Sequence, residues 1–148
     1  MGDTLFEVGA EFNAPARMMT RERMRWYCDA LETAASQSGE FIVAEPTIHT
    51  DEEYAKAQGL PGIIADGMIS TNYISSLLYA SFGVEYLRSG ELTTKFIRPV
   101  YEDDVLHTRA RVRGVVGGHY EVDVWVETDK GQKVTVGDAR VPLSGAGE

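Results

Sequence analysis

The strongest pattern in the chain lies between positions 66 and 82. Asp66-Gly67-Met68 opens about four helical turns that close at Phe82. Met68, Ile69, Tyr73, Ile74, Leu77, Leu78, Tyr79 and Phe82 leave only Ser70, Thr71, Asn72, Ser75 and Ser76 as polar positions. A helix apolar on most sides is expected to be buried.

Everything after Gly83 reads as strand, with the period of two that half-buried strands show. Leu92, Thr94 and Phe96 alternate before Pro99. Leu106, Thr108, Ala110 and Val112 alternate with His107, Arg109, Arg111 and Arg113. Val122, Val124 and Val126 alternate with Glu121, Asp123 and Glu127, and Val134, Val136, Ala139 and Val141 form the last run. Turn residues separate these runs at Asp103-Asp104, Gly117-Gly118 and Asp129-Lys130-Gly131.

Ahead of the apolar helix, an extended opening leads to a first helix. Thr20 is its candidate cap and Glu22 stands in its first turn, with Met24, Tyr27, Cys28, Leu31 and Ala35 at helical spacing. Ser36 to Gly39 ends it. A loop from Glu40 to Thr50 follows, then a short helix over Asp51 to Ala57 whose acidic start suits the helix dipole. Gly59-Leu60-Pro61-Gly62 breaks that helix. One buried helix followed by antiparallel strands predicts an α+β domain, a curved sheet wrapped around a long central helix. Such a sheet leaves an edge and an apolar outer surface, so a homodimer or higher homo-oligomer is expected.

The chain has 148 residues, which suits a single domain over 1–148. Its 23 acidic and 14 basic side chains give a net charge of −9, which repels nucleic-acid phosphates and anionic lipid. A local basic patch for one phosphorylated ligand remains compatible with that charge. No apolar run reaches the length of a membrane span, and Met1 to Ala10 lacks the blocks of a secretory leader. Cys28 is the lone cysteine, which excludes an intrachain disulfide and reads as a packed thiol. A cytoplasmic protein is expected. His49, His107 and His119 show no metal-ligand spacing, and the last two read as strand and turn residues, so no metal is expected.

Two segments carry a family resemblance. The first is Ile48-His49-Thr50-Asp51-Glu52-Glu53-Tyr54-Ala55, running on through Gly59-Leu60-Pro61 to Asp66-Gly67-Met68. It resembles the MaoC-like hydratases and dehydratases, whose pattern is D-x-N-P-I/L-H, a short helix, and an H-G-M/L step into a central helix. The second, Lys95-Phe96-Ile97-Arg98-Pro99-Val100-Tyr101-Glu102-Asp103-Asp104-Val105, resembles the F-x-x-P-V-x-x-G-D-x-L/V strand and turn of that family. Val136-Gly137-Asp138-Ala139-Arg140-Val141 is similar to its last strand.

The resemblance runs in family order from Thr20 to Leu143. It implies a hot-dog fold, a homodimer and a ligand tunnel at the dimer interface. It also implies lyase chemistry, the hydration or dehydration of an enoyl or 3-hydroxyacyl thioester. Coenzyme A or acyl-carrier phosphopantetheine would arrive as part of the substrate, with no separate cofactor. In the family an Asp and a His five residues later activate water, and backbone N–H groups at the start of the central helix receive the enolate oxygen. A helix N-terminus suits that task because its donors are unpaired and its potential is positive.

Carried over residue by residue, His49 matches the histidine and Gly67 the oxyanion-hole glycine. The family Asp falls at Ala44, the Asn-Pro pair at Pro46-Thr47, and Asp66 replaces the histidine of H-G-M. Alanine moves no protons, so a second carboxylate is needed. Glu45 is one residue away, with a solvated loop glutamate as the plainer reading. Asp66 is the other candidate, with an N-cap as its alternative. Asp51 reads as the cap of the short helix. An imidazole suits proton transfer near neutral pH, which makes His49 the candidate acid-base, the alternative being a structural hydrogen bond.

Met68, Ser70, Thr71 and Asn72 are the expected substrate-binding residues, although small polar residues also tolerate close packing. Arg88, Lys95, Arg98, Arg109, Arg111 and Arg113 are the cations open to a phosphorylated carrier; three of them form a row on one strand face, which a solvated face explains equally. Three alternatives to the standard reaction stay open: an altered enolate reaction, a hot-dog thioesterase, and a catalytically silent acyl-binding subunit of a hetero-oligomer. The substitution at Ala44 favours the last.

Overall fold

The computed structural model describes residues 6–143. The first five residues and the Ser144-Gly145-Ala146-Gly147 tail lie outside the described residues. The chain forms β1 (Glu11–Asn13), β2 (Arg17–Met18), α1 (Arg21–Ala35), α2 (Glu52–Ala57), α3 (Gly67–Phe82), α4 (Val84–Ser89), β3 (Glu91–Phe96), β4 (Val105–Val116), β5 (His119–Thr128) and β6 (Lys133–Pro142). The architecture is α+β, as the patterning predicts.

The sheet is antiparallel throughout, in the order β1-β4-β5-β6-β3, with β2 also on β4. Its long strands follow the alternation in the sequence. Leu106, Thr108, Ala110 and Val112 of β4 are buried, as are Tyr120, Val122, Val124 and Val126 of β5, and these residues form the core with α3. Gly117 and Gly118, both at positive φ (56° and 77°), join β4 to β5 in a two-residue turn that pairs Val116 with His119.

The opposite face of the sheet is charged, as the alternation of Arg and Glu positions implies, and not the apolar outer surface expected of a curved sheet. Arg109 pairs with Glu127 at 2.5 Å, Arg111 with Glu11, and Arg113 with both Asp123 and Asp138; Arg140 pairs with Glu121 at 2.8 Å. The row of arginines is therefore present, and each member is matched to a carboxylate on a neighbouring strand. The sheet ends at β1 on one side and β3 on the other; β3 is the longer of these two edge strands, and its Thr93, Lys95 and Phe96 are exposed.

Helix α3 buries Ile69, Ser70, Ile74, Leu77 and Leu78. It is not buried on most sides, however. Met68, Asn72, Ser76, Tyr79 and Ala80 are exposed, because the sheet curves around one flank and these positions recur on the other at helical spacing. The segment after Gly83 departs from the all-strand expectation. Gly83, at φ 71°, ends α3 and starts α4, with Glu85 in the first turn and Arg88 in the last. Tyr86 is buried there, and its hydroxyl bonds the Ser75 hydroxyl at 2.8 Å. Leu87 follows Tyr86 directly and so breaks the alternation that a strand would need.

Thr20 caps α1, its Oγ1 accepting the Arg23 N–H at 3.2 Å. Met24 and Cys28 are buried, but Leu31 and Ala35 are exposed, so the expected apolar stripe covers only the first part of the helix. Asp51 caps α2 by accepting the Tyr54 N–H at 2.7 Å.

Candidate active site

The site is assembled by a short extended segment just before α3. The Ile64 N–H donates to the Ile48 carbonyl at 3.0 Å, and the Ala65 N–H donates to the Val100 carbonyl at 2.8 Å. These bonds hold the histidine loop on one side of the helix start and the stretch after β3 on the other. Thr47 and Thr50 tighten the loop: Thr47 Oγ1 accepts the His49 N–H at 3.1 Å, and Thr50 Oγ1 accepts the Thr47 N–H at 3.0 Å.

His49 Nδ1 lies 2.8 Å from the Ile64 carbonyl oxygen. A carbonyl only accepts, so Nδ1 carries the hydrogen, and in the neutral ring Nε2 keeps a free lone pair. Gly67 is the first residue of α3. Asp66 already occupies the next two donors: its Oδ1 accepts the Met68 N–H at 2.9 Å and its carbonyl accepts the Ile69 N–H at 3.1 Å. The Gly67 N–H has no hydrogen-bond partner among the described residues. A Cβ at Gly67 would stand 2.7 Å from the Phe96 ring, so only glycine fits without a shift.

His49, Asp66 and Gly67 line one cavity of about 360 Å³. Its other walls are Met19, Ile64, Ile69, Phe96, Ile97, Val100 and Leu106, with Ser70 and Thr135 as polar members and Arg98 among the lining residues. The Ser70 and Thr135 hydroxyls bond each other at 2.6 Å, and Ser70 Oγ donates to the Gly67 carbonyl at 2.8 Å. Buried hydroxyls thus brace the first turn of α3. Among the described residues no group of three His, Cys, Asp or Glu side chains has the arrangement of a metal site.

Several expected site residues stand elsewhere. Glu45 is exposed on the loop and does not line the cavity. Of the four expected substrate-binding residues only Ser70 lines it. Met68 is half-exposed, Thr71 bonds Thr94 at 2.8 Å, and Asn72 Nδ2 donates to the Tyr27 hydroxyl at 3.4 Å. The cause is helical geometry, since residues two apart on a helix point to nearly opposite sides. Ser70 faces the sheet, while Met68 and Asn72 face away. Phe96, Ile97, Pro99, Val100 and Thr135 were missed as site residues, whereas Arg98 was among the candidate cations. The Phe-Ile-Arg-Pro-Val motif was visible, but its pairing with Ala65 is a long-range contact that periodicity does not report.

Arg109, Arg111 and Arg113 are engaged in the ion pairs of the outer face. Arg98 is exposed and makes no ion pair among the described residues. It also borders a second cavity of about 610 Å³, where Lys130 stands among Glu102, Asp103, Asp104 and Asp129. Helix α1 comes near Asp66 at Tyr27 and Cys28. Burial pushes the Tyr27 hydroxyl and the Cys28 thiol above their ordinary pKa values, and the Asp66 carboxylate adds to both shifts.

Residues 46–135, more than half of the chain, match the family described as MaoC like domain. The chain belongs to the MaoC-like dehydratase family. Solved structures share its hot-dog fold. The unliganded (R)-hydratase PhaJ1 from Pseudomonas aeruginosa is 20% identical, with 93% of this chain and 82% of that chain covered and a TM-score of 0.71. The (R)-hydratase from A. caviae involved in PHA biosynthesis is 17% identical, with 93% and 97% covered and a TM-score of 0.71. The C-terminally truncated HadBC (3R-hydroxyacyl-ACP dehydratase) complex from Mycobacterium tuberculosis is 16% identical, with 90% and 95% covered and a TM-score of 0.63. No curated protein sequence matches the chain significantly. Ala44, which the resemblance sets at the family Asp, stands just before the matched segment; it is buried at 7% exposure, and its N–H donates to Asp29 Oδ1 at 2.8 Å.

Proposed function

We propose that this MaoC-like domain adds water to an enoyl thioester, or removes it from a 3-hydroxyacyl thioester. One observation carries the reading: the free Nε2 of His49 belongs to a ring that lines the same cavity as the unpaired Gly67 N–H. The thioester carbonyl oxygen would accept the Gly67 N–H, whose bond strengthens as the enolate forms. His49 Nε2 would take a proton from the water attacking Cβ and return a proton to Cα. Atoms then balance as net addition of water. Asp66 supplies the second carboxylate of this reading because it lines the cavity, whereas Glu45 does not. The hydratases and dehydratase among the structural relatives support the reaction class.

The acyl group would be carried on coenzyme A or an acyl-carrier phosphopantetheine, with Arg98 at the cavity wall as the cation for it. A homodimer through the free edge of β3 is part of the proposal, as is a cytoplasmic location. No helix among the described residues is long and apolar enough to cross a membrane.

The test is turnover of crotonyl-CoA, followed by loss of the enoyl absorbance and gain of the mass of water. His49→Ala is expected to lower kcat by about 10²–10⁴-fold, the usual contribution of a general acid-base. Asp66→Asn is expected to lower it and Glu45→Gln to leave it unchanged. Full turnover by His49→Ala would sink the mechanism. Buried Ala44 favours a second reading, an acyl-binding subunit that acts beside an active partner. It predicts thioester binding without turnover by the isolated chain. Thioesterase activity would instead show as release of free thiol.

A further inference from the structure

The His49 loop enters from Glu40 with little regular structure, yet its upstream leg is fastened to α1 at two points. Thr33 Oγ1 accepts the Ile42 N–H at 2.9 Å and donates to the Ile42 carbonyl at 3.3 Å. One turn earlier on the same helix, Asp29 Oδ1 accepts the Ala44 N–H at 2.8 Å. Asp29 is only 5% exposed, and its Oδ2 lies 3.5 Å from Arg25 Nε.

A carboxylate buried in mid-helix is unfavourable unless its oxygens are paired. The amides of the helix interior already serve the helix, so the acceptor is directed outward, at the loop. The same helix is tied to α3 by the Tyr27 hydroxyl, which accepts from Asn72. Helix α1 therefore bridges the histidine loop and the helix that begins at Gly67. Ala44 is five residues from His49, at the place where the family pattern has its loop carboxylate.

We propose that Asp29 is a positioning residue: from α1 it holds the loop backbone at Ala44 and thereby sets His49 over the start of α3. Asp29 touches neither the cavity nor, on this reading, the substrate. It acts through the loop, and the proposal rests on the assignment of His49 as the acid-base. What it adds is that the buried carboxylate beside position 44 serves the site as a backbone anchor.

The experiment compares wild type, Asp29→Ala and Asp29→Asn by hydrogen exchange and by crotonyl-CoA kinetics. Asp29→Ala is expected to speed exchange in peptides covering 41–49 by at least about tenfold, the effect of losing a bond worth about one factor of ten. Peptides of β4, β5 and β6 keep their protection. Its kcat falls by a similar factor while KM stays within about twofold. Asp29→Asn, whose side-chain carbonyl still accepts the Ala44 N–H, restores both. Asp29→Ser, polar but too short to reach the loop, carries the same expectation should the alanine variant not fold.

Unchanged exchange in the loop of Asp29→Ala overturns the proposal, as does faster exchange spread over the whole sheet. A kcat loss that Asp29→Asn fails to restore overturns it too, since charge rather than anchoring would then be at work. If wild type turns over no thioester, the catalytic reading fails, while the exchange comparison still decides whether Asp29 anchors the loop.

Discussion

Gly67 shows how a single missing carbon decides what a site can hold. A methyl group there would land 2.7 Å from the Phe96 ring. Phe96 is 49% exposed, so its ring has room to turn, and the cost in stability is expected to be near the low end of overpacking, about 1 kcal/mol. Displacing the ring reshapes the cavity beside the free N–H. Gly67→Ala should therefore lose most of its kcat on crotonyl-CoA while its melting temperature moves by only a few degrees, and adding Phe96→Ala should recover part of the rate. Cys28 offers a second check. Burial first, and Asp66 next, hold its thiol above the ordinary range. Alkylation by iodoacetamide at pH 8 is expected to be slow in the native protein and fast in denaturant, as intact mass will show. Fast native labelling would mean that α1 does not pack as described.

Among the elements, the caps make the most direct predictions. Thr20→Ala removes the acceptor for the Arg23 N–H and is expected to cost about 1 kcal/mol, read as a shift in the denaturation midpoint. Both caps, Thr20 and Asp51, were legible in the sequence because capping depends on local spacing alone. The same holds for β4, β5 and β6, where alternation of burial follows alternation of residue type. Helix α4 was not legible: it is six residues long, as α2 is, but no side chain caps it as Asp51 caps α2, and Gly83 serves two helix ends at once. The exposed flank of α3 was hidden for a different reason. Tyr79 and Met68 look like core residues, and only the reach of the sheet determines that they are not. At the site, patterning could name His49 as a reactive residue, but the family resemblance was needed to join it to Gly67. Glu45 was a reasonable candidate by adjacency, and the backbone of the loop turned it outward.

For the molecule as a whole, charge pairs tie the parts together more than they stabilise them. Arg21 of α1 grips Glu102 with two bonds, of 3.1 and 2.7 Å, and the arginine's hydrogen bonding holds the Glu102 carboxyl below its ordinary range. A depressed carboxylate stabilises the fold above its unfolded pKa, and that contribution fades as pH falls through its folded pKa. Glu102→Gln should therefore cost a little stability at neutral pH, small because the pair is largely solvated, and nothing below the folded pKa, so that the acid limb flattens slightly in denaturation midpoints measured across pH. The unpaired edge at β3 bears on assembly. If two copies join there, Thr94→Pro, which deprives the strand of a donor, should shift sedimentation toward the monomer.

The bond from His49 to Ile64 has a consequence for how this site tolerates change. The group that orients the imidazole belongs to the main chain, so no substitution at position 64 can delete it. Valine or leucine there would alter the cavity wall yet leave the ring's tautomer untouched, and a nitrogen-15 spectrum of the imidazole would show the same protonated Nδ1. Sequence drift can thus reshape what the pocket accepts without disarming the base beside it.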